Sequence, residues 1–282
     1  MRISSTGNYH GAITRRKVRI YGLCLFLLLS TMVSGSLYAS DNKEDTTFTI
    51  RQFLNSVKTD YRYFYSSDRL IRMSFVFAGG ALVANTALDQ NIQTWYQDQI
   101  RNSRANNISK VAKVFGEGKY LIPFSLITAF TTTYIVRIPA IGTWGRNMVR
   151  SYLVGGPPLV LTQRLTGGSR PGESGEDSHW KPLKDDNGVS GHAFVGAVPF
   201  LTLAHMYDDK ILLKYLFYTA SFFPGLSRIN DNMHYPSQVA LGWYLAWEAT
   251  GAVCKNNQQE QKLSVVPFIG NNSYYVLVQI EW

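Results

Sequence analysis

The chain has 282 residues, 45% of them apolar, with two cysteines and a formal charge of +9. That apolar share supports a real core and excludes a disordered chain, while two cysteines exclude a disulfide-built scaffold. Five basic residues and no acidic one fall within positions 1–39, so the remainder carries only +4. With no clustered basic stripe and no RNA-binding signature, nucleic acid is not an expected partner.

Arg15, Arg16, Lys17 and Arg19 precede an apolar run from Ile20 to Val33, and Ser34, Gly35, Ser36 and Ala39 follow it. The run is short for a membrane span and suits the core of a secretory signal, so residues 1–39 are expected to be a signal peptide. An uncleaved anchor helix is the alternative. Cys24 follows Leu23 rather than a small residue, which argues against a lipid anchor. Cleavage after Ala39 would leave Cys254 alone, with no intramolecular disulfide to make.

Residues 40–115 read as a helical lead-in. A short helix is predicted near Ile50–Val57, and an apolar one at Leu70–Leu88 that is either buried or membrane-bound. Surface helices are predicted around Ile92–Ile100 and Ile108–Phe115. Residues 116–254 read as the main core. Tyr120–Ile138 is uncharged up to Arg137, and Trp144–Leu161 is helical until Gly155-Gly156-Pro157-Pro158 disturbs it. A hydrophilic loop from Thr166 to Val189 is long enough to be functional. Helices at Ser190–Tyr207 (kinked at Pro199), Ile211–Phe223 and Ser237–Val253 follow. In the tail, 255–282, Gly270-Asn271-Asn272-Ser273 separates two strand-like runs, which predicts a β-hairpin. The fold class expected is all-α, a bundle of about six core helices with a small C-terminal hairpin.

Three segments carry the residues suited to chemistry. Ser190 is a good N-cap, so the N–H groups around Gly191 and His192 would form an anion site at a helix start, with His192 beside it to donate a proton. Arg170 and Arg228 can each grip phosphate oxygens in a two-pronged contact. His234 can act as a nucleophile if one ring nitrogen is held by an acceptor, and Gln238, one turn later, offers a carbonyl for that purpose. His179 and His205 have no evident partners in the sequence. Asp185-Asp186-Asn187-Gly188 lacks the downstream glutamate of a calcium loop and reads as a turn. No spacing of histidines, cysteines or carboxylates suggests a metal centre, and no cofactor is expected.

In this order, Arg170-Pro171, Ser190-Gly191-His192 and Ser227-Arg228 with His234 resemble the signature of the type 2 phosphatidic acid phosphatase and vanadium haloperoxidase superfamily, K-x6-R-P, P-S-G-H and S-R-x5-H-x3-D. The resemblance covers roughly residues 116–252. It implies that His234 is the nucleophile, forming a phosphohistidine, that His192 is the acid, and that Arg170, Arg228, Ser190 and Gly191 bind phosphate without a metal. The chain departs from the pattern in three places. Gln163 stands at the lysine position, with Arg164 next to it as a substitute. Val189 replaces the proline, and Gln238 replaces the carboxylate, which implies a slower enzyme.

The expected function is a phosphomonoesterase acting on a phosphorylated lipid or a small phosphomonoester, exported to the periplasm and associated with a membrane surface. An integral membrane location is the alternative. Two other functions fit the same residues: a vanadate-dependent haloperoxidase, and a non-catalytic phosphate- or phospholipid-binding protein, the latter on account of Gln163 and Gln238.

Overall fold

The computed structural model describes residues 49–134, 138–173, 177–270 and 273–280. The expected signal peptide lies outside the described residues. From Ile50 to Lys262 every regular element is helical: α1 (Ile50–Phe64), α2 (Ser67–Ala84), α3 (Ala87–Trp95), α4 (Ser103–Ala112), α5 (Gly118–Tyr134), α6 (Pro139–Thr166), α7 (Gly191–Met206), α8 (Ile211–Ala220), α9 (Phe223–Asn230) and α10 (Pro236–Lys262). A π-helical turn, Tyr96–Ile100, prolongs α3, and a 3-10 turn, Lys113–Gly116, prolongs α4. The class is all-α.

Helix α7 is the axis. It is apolar on every side, and from Ala193 to Ala204 only Val195 keeps appreciable exposure. Such a helix must be covered all round, and α6, α8, α9 and α10 cover it. Phe194, Leu201 and Leu203 meet Trp144, Met148, Leu241 and Leu245 in the core. The crossing of α7 and α10 is close because Gly242 has no side chain: a Cβ there would run into the carbonyl oxygen of Ser190.

The Gly155–Pro158 break expected from the sequence does not occur. Helix α6 runs through both prolines to Thr166. A proline removes one N–H and leaves the carbonyl four residues back without its donor. For Pro157 that carbonyl is Leu153, and the Tyr61 hydroxyl of α1 donates to it at 2.6 Å. Pro199 inside α7 is handled the same way, with Tyr152 donating to Val195 at 3.0 Å. In each case a tyrosine from a neighbouring helix replaces the missing donor.

Elsewhere the boundaries shift. The Ile211–Phe223 stretch divides into α8 and α9, and α10 continues nine residues past Val253 to Lys262. The Leu70–Leu88 segment is not buried throughout: α2 ends at Ala84, Thr86 caps α3, and Phe75 and Leu82 are 75% and 70% exposed. Among the described residues no single helix is long and apolar enough to cross a membrane. Ser67–Ala84 and Ala87–Ile100 reach that length and composition together, with a 74° bend between them.

Two buried ionic networks fasten the lead-in helices to the core. Asp60 on α1 accepts from Arg150 Nε and Nη2, both at 2.7 Å, and from Asn256 at 2.8 Å. Glu248 on α10 is fully buried and paired with Arg69 and Arg72 of α2, and Tyr244 donates to it at 2.7 Å. Buried carboxylates with this many donors are tolerable in a core, whereas unpaired ones are not.

Candidate active site

The start of α7 supplies the floor. Ser190 is fully buried, and its hydroxyl caps the helix by accepting from Ala193 N–H at 3.3 Å. Its own N–H donates to the Gln238 carbonyl at 2.8 Å. The first N–H groups of a helix have no acceptor within it, so those of Gly191 and His192 face an anion-favouring end. Gln163, from the last turn of α6, lies beside Gly191 and donates to the Val189 carbonyl at 2.9 Å.

His234 and Gln238 form a locked pair. Gln238 Oε1 lies 2.9 Å from His234 Nδ1 and accepts from Tyr235 N–H at 3.1 Å, while its Nε2 donates to the Ser169 carbonyl at 2.8 Å. The amide is thus oriented from both ends, and its oxygen needs a proton on Nδ1. The lone pair of the neutral ring is then on Nε2. Burial pushes the His234 pKa down to about 4. The Gln238 bond opposes that, and the charges of Arg228, Arg170 and His192 add to it. His234 is a neutral imidazole near pH 7.

The two arginines are held differently. Arg170 leaves the end of α6 and donates through Nε to Asn187 Oδ1 at 2.9 Å, with Asn187 braced by Asp185 at 2.8 Å. The Asp185–Gly188 turn therefore serves to aim an arginine. Arg228, near the end of α9, is 9% exposed, and its buried Nε has no hydrogen-bond partner. Its nearest carboxylate oxygen, on Asp231, is 3.9 Å away. Burial lowers the Arg228 pKa, Asp231 and Glu117 oppose the shift, and Arg170 adds to it. An incompletely paired buried guanidinium next to a second one is costly unless an anion joins them.

His192 completes the group. Burial and Arg228 lower its pKa, Glu117 opposes them, and Arg170 adds a smaller push downward. The structure thus brings together His192, His234, Gln238, Arg170, Arg228, Ser190, Gly191 and Gln163. Arg164 stands apart: it is exposed, and its carbonyl accepts from Leu183 N–H at 2.8 Å.

Three acidic residues at or behind this group were not singled out from the sequence. Glu117, just ahead of α5, has Oε1 3.8 Å from His192 Nε2 and Oε2 3.1 Å from Lys119. Its place between two glycines was the available signal. Asp89 of α3 is fully buried and accepts from Ser237 Oγ at 2.5 Å and Ser237 N–H at 3.0 Å, capping the start of α10 just after His234. Burial raises the Asp89 pKa despite the two Ser237 bonds. Asp231 accepts from Ser109 at 2.7 Å and stands behind Arg228. No local pattern marks Asp89, which is remote in sequence from what it caps.

Residues 156–262 match the family model described as the PAP2 superfamily. Over that stretch the chain is similar to the PAP2 superfamily. The match runs from the middle of α6 to the end of α10 and includes all three segments quoted above. That similarity supports a hydrolase acting on phosphate esters. Neither curated proteins nor solved structures give a significant match to the chain.

A cavity of about 470 Å³ opens at the other end of α7, lined by residues including Asn147, His205, Asp208, Asp209 and Cys254. His205 lies thirteen residues along α7 from His192, roughly 20 Å at 1.5 Å per residue. Burial pushes its pKa to about 4. With two aspartates and no arginine in its lining, this cavity does not suit a phosphate. His179, by contrast, has a partner in Asp177, at 2.8 Å.

Proposed function

We propose that this chain is a phosphomonoesterase of the PAP2 type that works through a phosphohistidine on His234. The observation that carries the reading is Arg228: a buried guanidinium with an unpartnered Nε, facing a second arginine, two imidazoles and a helix start. A phosphoryl group matches that demand, bringing negative charge and several acceptor oxygens.

In this mechanism Arg170, Arg228, Ser190 and the Gly191 N–H hold the phosphoryl oxygens, with Gln163 at the edge. His234 Nε2 attacks phosphorus, the P–O bond to the leaving group breaks, and His192 gives that oxygen its proton. Water then loses a proton to His192 and attacks phosphorus, breaking the P–N bond and releasing inorganic phosphate. The guanidinium groups supply the positive charge, and no step needs a metal. Gln238 fixes the reacting tautomer but offers the cationic phosphohistidine less charge than a carboxylate would, so turnover is slow.

The substrate we infer is a lipid phosphate, met at a membrane surface. Support comes from the apolar side chains left exposed on α8 and α9, including Leu212 at 80% and Phe223 at 45%, on the elements leading to Arg228. Export of the chain, after removal of residues 1–39, belongs to the same proposal. So does the division into a lead-in, a core and a tail. For the tail we infer an antiparallel hairpin, supported by the pairing register from Leu263 with Ile280 to Gly270 with Ser273.

The test is phosphate release by purified protein from phosphatidic acid and from a chromogenic phosphomonoester, in chelator and with or without vanadate. Release that vanadate blocks and His234→Ala abolishes is expected. Unchanged release by His234→Ala would sink the mechanism. Binding of phosphate without turnover would favour the non-catalytic alternative that Gln238 and Gln163 suggest.

A further inference from the structure

We propose that Glu117 is the positioning residue for His192: the turn that carries it walls the imidazole into the pocket, and its carboxylate supplies the negative charge against which His192 keeps the proton it gives to the leaving group. This rests on the role of His192 proposed above.

The geometry is specific. Leu121 N–H donates to the Glu117 carbonyl at 3.1 Å, so Glu117 stands at the N-cap of α5, where the helix dipole favours a carboxylate. The residue before it, Gly116, lies against His192: a Cβ there would come within 3.0 Å of His192 Cβ, Cδ2 and O. The turn that presents Glu117 is therefore the wall on which the imidazole rests. Oε1 is 3.8 Å from Nε2, an ion-pair distance beyond hydrogen-bond reach. Glu117 thus acts on the ring by charge and leaves Nε2–H available to the leaving oxygen.

The charges around His192 make Glu117 distinctive. Arg228 on α9, Arg170 in the loop after α6 and His234 ahead of α10 bring positive or neutral groups. Asp231 is engaged by Ser109 and Lys113 behind Arg228, and Lys119 is engaged by Glu117 itself. Among the groups that shift His192, Glu117 alone pushes its pKa upward, against burial and both arginines. A general acid among guanidinium groups loses its proton early unless a carboxylate answers them.

The sign follows directly. Removing the Glu117 charge lowers the His192 pKa, so the acid form is lost at lower pH. The full chain, labelled with ¹³C in its histidine rings, is titrated by NMR without ligand, and His192→Ala assigns the resonance. Glu117→Gln should lower the His192 midpoint by about one unit, Glu117→Asp by less, and His179 and His205 should stay put. Lys119→Met frees Oε2 and should move the His192 midpoint upward. In turnover, Glu117→Gln should shift the alkaline limb of kcat/KM down by the same amount.

An unmoved midpoint in Glu117→Gln overturns the inference, as does a uniform loss of kcat/KM with no shift of the limb. If Glu117→Gln does not fold, Lys119→Met decides alone, and an unmoved or lowered midpoint overturns it. The titration needs no turnover. A chain that hydrolyses no phosphoester therefore refutes the proposed function while the midpoint still judges Glu117.

Discussion

Two arginines are buried in this bundle to similar depth and are treated in opposite ways. Arg150, on α6, has its Nε and Nη2 on Asp60 and its Nη1 on Asn257, each at 2.7 Å. Arg228, on α9, has an orphaned Nε and its nearest carboxylate oxygen at 3.9 Å. A buried guanidinium with its donors satisfied holds helices together, and one left open is the group we propose for binding phosphate. The lesson is that burial does not distinguish structure from function; the completeness of the hydrogen bonding does.

That contrast can be broken experimentally. The largest effect is expected from His234→Ala, which removes the proposed nucleophile and should cut phosphate release by at least about a thousandfold, read in single-turnover assays. Arg228→Ala should cost on the order of 100- to 1000-fold in kcat and leave the denaturation midpoint unchanged or raised, since an ill-paired buried charge disappears. Arg150→Ala should do the reverse. It strands Asp60 in the core and should lose about 3–5 kcal/mol in urea unfolding, while the surviving folded fraction keeps its kcat. If Arg228→Ala were the more destabilising of the two, the distinction between them would fail.

The pH dependence sharpens the comparison. His234 titrates near 4 in the fold and near 6.5 when exposed, so between those values the unfolded chain binds the extra proton. Its contribution is complete above about 6.5 and is lost as pH falls toward 4, by up to roughly 3 kcal/mol. His205, also near 4 at the far end of α7, acts in the same direction. Urea unfolding at pH 7 and pH 5 should show the fall, and His234→Asn should remove part of it. The smallest effect is expected from Tyr61→Phe, which orphans the Leu153 carbonyl opposite Pro157 and should cost about 1 kcal/mol.

The local features were legible in the sequence. Ser190 as a helix cap, Gly191 and His192 behind it, and Gln238 one turn from His234 are short-range facts, and the residue order states them. The helical class was legible too, because the apolar spacing is a property of each segment. Boundaries were less so. Gly155-Gly156-Pro157-Pro158 reads as a break because the sequence shows the missing donors but not Tyr61, ninety-two positions away from the carbonyl it serves.

Glu117 and Asp89 escaped for the same reason. Each acts on a residue far along the chain, Glu117 on His192 and Asp89 on Ser237. Arg164 looked like a substitute for a lysine at Gln163, but the last turn of α6 carries the two neighbours in different directions, and only Gln163 lies beside Gly191. By itself, then, the sequence determined which side chains could do phosphoryl chemistry, since cap, turn and helix spacing are written in consecutive residues. Tertiary structure alone decided which arginine keeps an unpartnered Nε, which carboxylate faces His192 and which prolines a helix survives. Those depend on partners that only packing brings within reach.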